Sequence, residues 1–315
     1  MRNKIPNWAS ITPTEIVTDI LGIGPGTEIE YIPSSLDIRL LDYLDHTDQR
    51  VTFRGLSSNG NIGYLVSLTG GLENSSPEFE NLAREYDSLT NKLSNIPGII
   101  RPLYLSPIDV EELENRRLVY SRYMVSNAVE GLCTNMVWSR DIPWEQRLEY
   151  VVNFAISGLS TLTALHRAGW VHGRLSRSSF ADKNEPMYGE DIFTVLMDFS
   201  NACFISSGDC ASQGRSPRDD LVQFGDILLR VWNEDGYERN LAMYTNNYHE
   251  SSPEYQEALV AFKNMISTEQ IFWLSHEDPE SKAIDDFLEA VRSLGPDDIP
   301  PYTYLKSLFL DVRDR

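Results

Sequence analysis

The hydrophobic period changes once along this 315-residue chain, and that change limits what it can become. Between residues 36 and 70 the apolar residues come in short alternating runs. Arg50-Val51-Thr52-Phe53-Arg54 and Tyr64-Leu65-Val66-Ser67-Leu68 are two of them, with the turn signal Ser58-Asn59-Gly60-Asn61 between. Such runs predict an antiparallel meander. One helix follows. Ser76-Pro77-Glu78 starts it, Phe79, Leu82, Ala83, Tyr86, Leu89 and Leu93 recur at helical spacing, and Pro97-Gly98 ends it. Strand-like segments come next over 99–105 and 117–123. From Trp144 to Ala168 the period becomes helical, with Leu148, Val151, Val152, Ala155, Leu159, Leu162 and Leu165 on one stripe. After a strand over 193–197, a second long helix is predicted from Asp219 to Trp232, and more follow to the end. Strands with one helix, then mostly helices, predict an α+β fold in two lobes. The boundaries read as an N-terminal extension over 1–30, a small β-rich lobe over 31–126 and a larger helical lobe over 127–315.

Charge and cysteine usage narrow the function classes. A net charge of −20 disfavours nucleic acid and anionic membranes as partners. The acidic residues are spread along the chain, so solubility explains them before a basic protein partner does. No uninterrupted apolar run is long enough to span a bilayer, and the first residues lack a signal-peptide core. Cys133, Cys203 and Cys210 have no metal-site spacing and read as reduced thiols of an intracellular protein, cytoplasmic or nuclear.

Several motifs recur in a fixed order. A long helix ends Ala164-Leu165-His166-Arg167-Ala168-Gly169-Trp170, and the loop Val171-His172-Gly173-Arg174-Leu175-Ser176-Arg177-Ser178-Ser179-Phe180 follows. Met197-Asp198-Phe199-Ser200 sits just after a strand. Arg218-Asp219-Asp220-Leu221-Val222-Gln223-Phe224-Gly225 opens the second long helix, and the tail carries Pro300-Pro301-Tyr302-Thr303-Tyr304-Leu305-Lys306-Ser307-Leu308-Phe309. This series resembles the protein kinases, with H-R-D-x-x-x-x-N at 172–179 and DFG at 198–200. Phe180 after the metal-Asn slot, the Arg-Asp-Asp-Leu helix start, the tail motif and Asn95-Ile96-Pro97-Gly98-Ile99-Ile100 are similar to the casein kinase 1 and vaccinia-related kinase group. The resemblance covers about residues 36–312.

The resemblance implies where the chemistry should sit, and the residues there lack it. The catalytic Asp slot holds Arg174 and the metal-Asn slot holds Ser179. A cation cannot act as the base, and a hydroxyl is a weaker magnesium ligand than an amide oxygen. Ser67 falls in the phosphate-binding Lys slot, and no lysine occurs between Lys4 and Lys92, so no change of register restores one. Glu85 is the helix Glu that would pair with that Lys. Its two readings are a cofactor-linked carboxylate, with Arg54 as a substitute partner, and a solvated side chain. Gly22, Gly24 and Gly26 lie too far upstream to form a phosphate loop and read as a linker turn. Asp198 alone is kept, either as a magnesium ligand or as a hydrogen-bonded Asp retained for folding. Arg174 either pairs with Asp198 or points to solvent. His172, Phe199, Asp220 and Gly225 take structural roles, with Asp220 expected to bond to the backbone of the 172–179 loop. The interval from Asp198 to Asp220 is short for a peptide-docking segment and lacks A-P-E.

The expected protein is therefore a catalytically inactive kinase homologue that binds another protein, an active kinase or its substrate, as a scaffold or allosteric regulator. No cofactor is expected. ATP with magnesium belongs to the competing reading, an atypical ATP-dependent transferase or serine/threonine kinase with a non-standard site. His172-Gly173 also fits the H-G-D loop of small-molecule kinases, where the missing Asp counts equally against activity.

Overall fold

The computed structural model describes residues 38–47, 50–57, 63–69, 77–105, 122–126, 131–132, 144–176, 179–182, 194–245, 248, 252–268 and 278–314. The N-terminal extension with its three glycines, the turn at 58–61, Ser76 and Cys133 lie outside them, as does the Arg54 side chain.

The alternating runs pair as expected. Strands β1 (Ile38–Thr47), β2 (Arg50–Ser57) and β3 (Gly63–Thr69) form a meander. Helix α1 (Pro77–Asp87) follows and ends in a π-helical turn over Ser88–Lys92, with Leu93 as its C-cap. The helix therefore stops before Pro97-Gly98. Strands β4 (Pro102–Leu105) and β5 (Arg122–Ser126) complete a five-stranded antiparallel sheet in the order β1-β2-β3-β5-β4. Of the strand expected over 117–123, residues 117–121 lie outside the described residues; β5 takes up Arg122 and Tyr123 and runs on through the buried Met124 and Val125.

The helical part is built on α2 (Trp144–Arg167). Its stretch Leu148–Arg167 is long and apolar enough to cross a membrane, but 61% of it is buried inside the protein, so its stripe serves the core. Around it lie β6 (Gly131–Leu132), β7 (Trp170–Val171), β8 (Phe180–Asp182), β9 (Thr194–Leu196) and β10 (Cys203–Phe204), which form a three-stranded sheet β6-β8-β9 and a pair β10-β7. Then come the single turn α3 (Asp209–Ser212), α4 (Pro217–Trp232), α5 (Glu234–Thr245), α6 (Pro253–Thr268), α7 (Pro279–Arg292) and α8 (Tyr302–Arg313). Helix α4 begins where the sequence supplies a start. Ser216 and Asp219 form a reciprocal capping box, and Pro217 occupies the first turn, where its missing N–H costs nothing.

A run of aromatic rings joins these elements. Phe154 of α2, Phe180 of β8 and Phe224 of α4 pack at centroid distances of 5.3–5.6 Å. Phe224 continues to Phe287 of α7 at 6.2 Å, and Phe287 to Phe309 of α8 at 6.0 Å. All five are essentially fully buried. The sheet is tied to β9 through Ile100, whose N–H donates to the Leu196 carbonyl, and Leu196 N–H, which donates to the Gly98 carbonyl.

Candidate functional site

The loop after β7 is held by one carboxylate. Asp220, fully buried on α4, accepts the backbone N–H of His172 on Oδ2 at 2.7 Å and that of Gly173 on Oδ1 at 2.8 Å. His166, at the end of α2, places Nε2 2.8 Å from the same Oδ2. The carboxylate is acceptor-only, so this His nitrogen carries the proton, and Nδ1 accepts from the Tyr302 hydroxyl. Burial alone would raise the Asp220 carboxyl. The His166 hydrogen bond, the fields of His166 and His172 and the Gly173 N–H outweigh it, and the group sits below its ordinary value. Tyr302 moves the other way: burial and the Asp220 charge hold its phenol up and protonated, as a donor. Three elements distant in sequence, α2, α4 and the start of α8, thus meet at one buried Asp-His-Tyr chain.

His172 is buried and donates from Nε2 to the Met197 carbonyl at 2.9 Å. Its ring meets that of Phe199 edge-on at 5.0 Å. Phe199 N–H in turn donates to Oε1 of Glu85 at 2.9 Å. Glu85 is only 2% exposed, which replaces the solvated reading of this side chain. A buried carboxylate is tolerated when it accepts hydrogen bonds, and the Phe199 N–H is one of its donors here. Next to it, Asp198 is half-buried and adopts a left-handed backbone (φ 63°), the only such non-glycine among the described residues. Its Oδ1 accepts the Ser200 hydroxyl at 2.9 Å.

The other positions taken from the kinase resemblance serve local structure. Ser67 on β3 is buried, with Oγ 3.5 Å from Oγ1 of its cross-strand partner Thr52. Ser179 is wholly buried and accepts the Ser176 N–H at 2.9 Å, so its hydroxyl closes the loop on itself. Arg174 is exposed, its backbone N–H donating to His172 Nδ1. Gly225 lies on the buried face of α4 against Phe287 and Leu288.

Arg215 is a residue the motifs did not single out. Gly173 has φ +80°, and a Cβ there would fall 2.9 Å from Arg215 Cδ and 2.9 Å from the Asn201 carbonyl oxygen. The place of a side chain at 173 is thus taken by the Arg215 side chain, whose guanidinium donates to the Asn201 carbonyl. The Gly173 in H-G-R was the sequence signal for it, since a left-handed position beside a close neighbour selects glycine.

The cysteine expectation is corrected. Cys203 and Cys210, seven positions apart, are joined by a disulfide with Cα atoms 5.3 Å apart. Sequence spacing carries no pairing information for so short a loop; the fold brings them together because β10 pairs with β7 and α3 turns the chain back. With Val171 they form a small buried cluster of their own. Closing a loop of this length removes denatured-state entropy worth about 2–3 kcal/mol. Cys203→Ser or Cys210→Ser should lower the unfolding free energy by about that amount, read by urea denaturation without reductant. An unchanged midpoint, or equal stability with and without dithiothreitol, would contradict the bond.

No protein-family model matches this chain, and no curated protein matches it by sequence. Many solved structures match by fold. One is the structure of vaccinia related kinase 3, at a TM-score of 0.56 and 13% identity, with 96% of each chain covered. At that identity the likeness shows the fold alone, and the fold is protein-kinase-like.

Proposed function

We propose that this protein is a pseudokinase: a two-lobed kinase-like chain that has given up phosphotransfer and acts as a protein-binding scaffold or allosteric regulator, with lobes at 31–126 and 127–315. The observation that carries the reading is the Glu85 carboxylate on the Phe199 N–H. It ties α1 to the 197–200 turn by a backbone hydrogen bond, at the position where the resemblance places the lysine-paired glutamate. The donor set supports it. Magnesium takes oxygen ligands in near-octahedral geometry and usually shares phosphate oxygens, whereas here the Asp198 carboxylate accepts the Ser200 hydroxyl and the Ser179 hydroxyl is bonded into its own loop.

Thermal unfolding with ATP, alone and with magnesium or manganese, tests the reading. A ligand at a hundred times its dissociation constant would add about 2.7 kcal/mol to stability. The expected result is no shift in Tm under any of these conditions, and a metal-dependent rise overturns it. The partner is another protein, an active kinase or its substrate, and the location is intracellular, cytoplasmic or nuclear. The Cys203–Cys210 disulfide argues against that location, and acid quenching of native cells followed by alkylation under denaturing conditions, before and after reduction, decides it: labelling of both thiols without reductant supports a reducing compartment, and labelling only after reduction overturns the location.

The second reading, an atypical transferase, rests on Asp198. A non-glycine left-handed residue costs roughly 1–3 kcal/mol and is retained where the surroundings or a function require it. Asp198→Asn tolerates the same backbone and removes only the charge. Under this reading it abolishes a metal-dependent nucleotide shift that the parent protein shows; under the first, neither protein shows one.

A further inference from the structure

The short 198–216 segment leaves an open cleft against the tail motif, and three of the nine exposed large hydrophobic side chains among the described residues line it: Ile205, Ile299 and Tyr304. Ile299 is 90% exposed, an unusual position for an isoleucine in a loop packed between two helices. The cleft measures about 1110 Å³, above the roughly 300–1,000 Å³ of small-molecule pockets. Its floor is rigid. Tyr302 and His166 belong to the buried chain ending on Asp220, and Cys210 is held by its disulfide.

The charges along it are unequal in availability. Arg215 is turned to Asn201, and Asp219 is occupied by its capping box with Ser216. What remains beside Ile299 is the acidic pair Asp297 and Asp298, both exposed, the latter also accepting the Gly295 N–H. Arg167 at the end of α2 and Arg215, whose bond to the neutral Asn201 carbonyl leaves its charge intact, are the cations on the wall. The exposed apolar side chains Ile205, Ile299 and Tyr304 and the acidic pair next to Ile299 favour the same occupant.

We propose that this cleft is the docking site for a basic-hydrophobic segment of the partner protein, an apolar side chain seated against Ile299, Ile205 and Tyr304 with Lys or Arg beside Asp297 and Asp298. It rests on the scaffold reading and says where that scaffold binds. Peptide recognition of this kind places most of its energy in a few apolar anchors, while charge sets the choice of partner and the salt dependence.

The test uses three fluorescein-labelled dodecapeptides titrated into the full chain: one alternating Arg with Leu and Phe, one with Glu in place of Arg, and one with Ser there. The Arg peptide should bind saturably and more weakly as salt rises. Ile299→Glu should weaken it about tenfold or more, and Asp297→Lys should move the preference toward the Glu peptide. Both residues are exposed, so both variants should keep the parent Tm. Equal binding of all three peptides, binding that Ile299→Glu leaves untouched, or self-association of the parent protein that Ile299→Glu abolishes would each overturn the proposal. A natural partner retained in full by Ile299→Glu protein would overturn the cleft while leaving the scaffold reading in place, and that reading stands or falls separately on the nucleotide titration.

Discussion

Asp220→Ala is expected to cost about 3–5 kcal/mol of stability, a third or more of what a domain usually has. The substitution strands three donors at once: the buried His172 N–H and His166 Nε2 and the half-buried Gly173 N–H. A buried donor left without a partner loses its full desolvation energy. Asp220→Asn should be damaging too. One oxygen can serve Oδ2 or Oδ1 but not both, and the amide NH2 then faces a donor. The pH dependence gives an independent reading. Asp220 is held below its ordinary value, so its contribution is complete above the unfolded carboxylate range near about pH 4 and is lost as pH falls through the folded value. Asp226, on the same helix, is raised by burial despite the Tyr237 hydroxyl it accepts, so its contribution runs the opposite way and fades as pH rises through its folded value. Urea unfolding of parent and Asp220→Asn protein between pH 3 and 7 separates them. The parent should lose stability more steeply on acidification than the variant does; parallel curves would mean that Asp220 is not ionised in the folded protein.

That prediction also shows how much the sequence disclosed. The order of elements and the α2 and α4 helices follow from hydrophobic period, because each is long enough for its stripe to repeat. The bond from Asp220 to the loop backbone follows from the motif frame, since the donors are backbone and do not depend on what replaced the catalytic side chains. What could not be read were partnerships between short elements. Tyr302 sits in a motif and His166 in another, 136 positions away, and only packing shows that the Tyr302 hydroxyl donates to His166. Glu85 had lost its lysine in the sequence, and nothing there indicated that a backbone N–H would take over. The Cys203–Cys210 bond depends on two-residue strands too short to leave a periodic signal. The candidate site was therefore legible as a set of positions and illegible as a set of contacts.

Gly158→Val is expected to damage the helical core severely, although any residue but proline makes a better helix than glycine. A Cβ at 158 would fall 2.5 Å from both Cε2 and Cζ of Phe224. Replacing glycine by alanine in a helix interior gains about 1 kcal/mol in propensity, while overpacking a rigid core costs about 1–3 kcal/mol. Which wins depends on whether the ring can move. Phe224 is fully buried and bounded by Phe154, Phe180 and Phe287, each within 6.2 Å between centroids, so a rotation that frees Cζ drives the ring into another aromatic. Gly158→Ala should therefore be destabilising on balance, by about 1–2 kcal/mol after its propensity gain, and Gly158→Val, with two further methyl groups, by more than 3 kcal/mol. The clash assigns the cost to one contact, and a double-mutant cycle tests that assignment. Phe224→Leu removes the two clashing ring atoms, so its combination with Gly158→Ala should be less destabilised than the sum of the single changes by about 1 kcal/mol or more. Strict additivity would place the cost elsewhere in α2, and a stabilising Gly158→Ala would show that the aromatic cluster yields where its packing says it cannot.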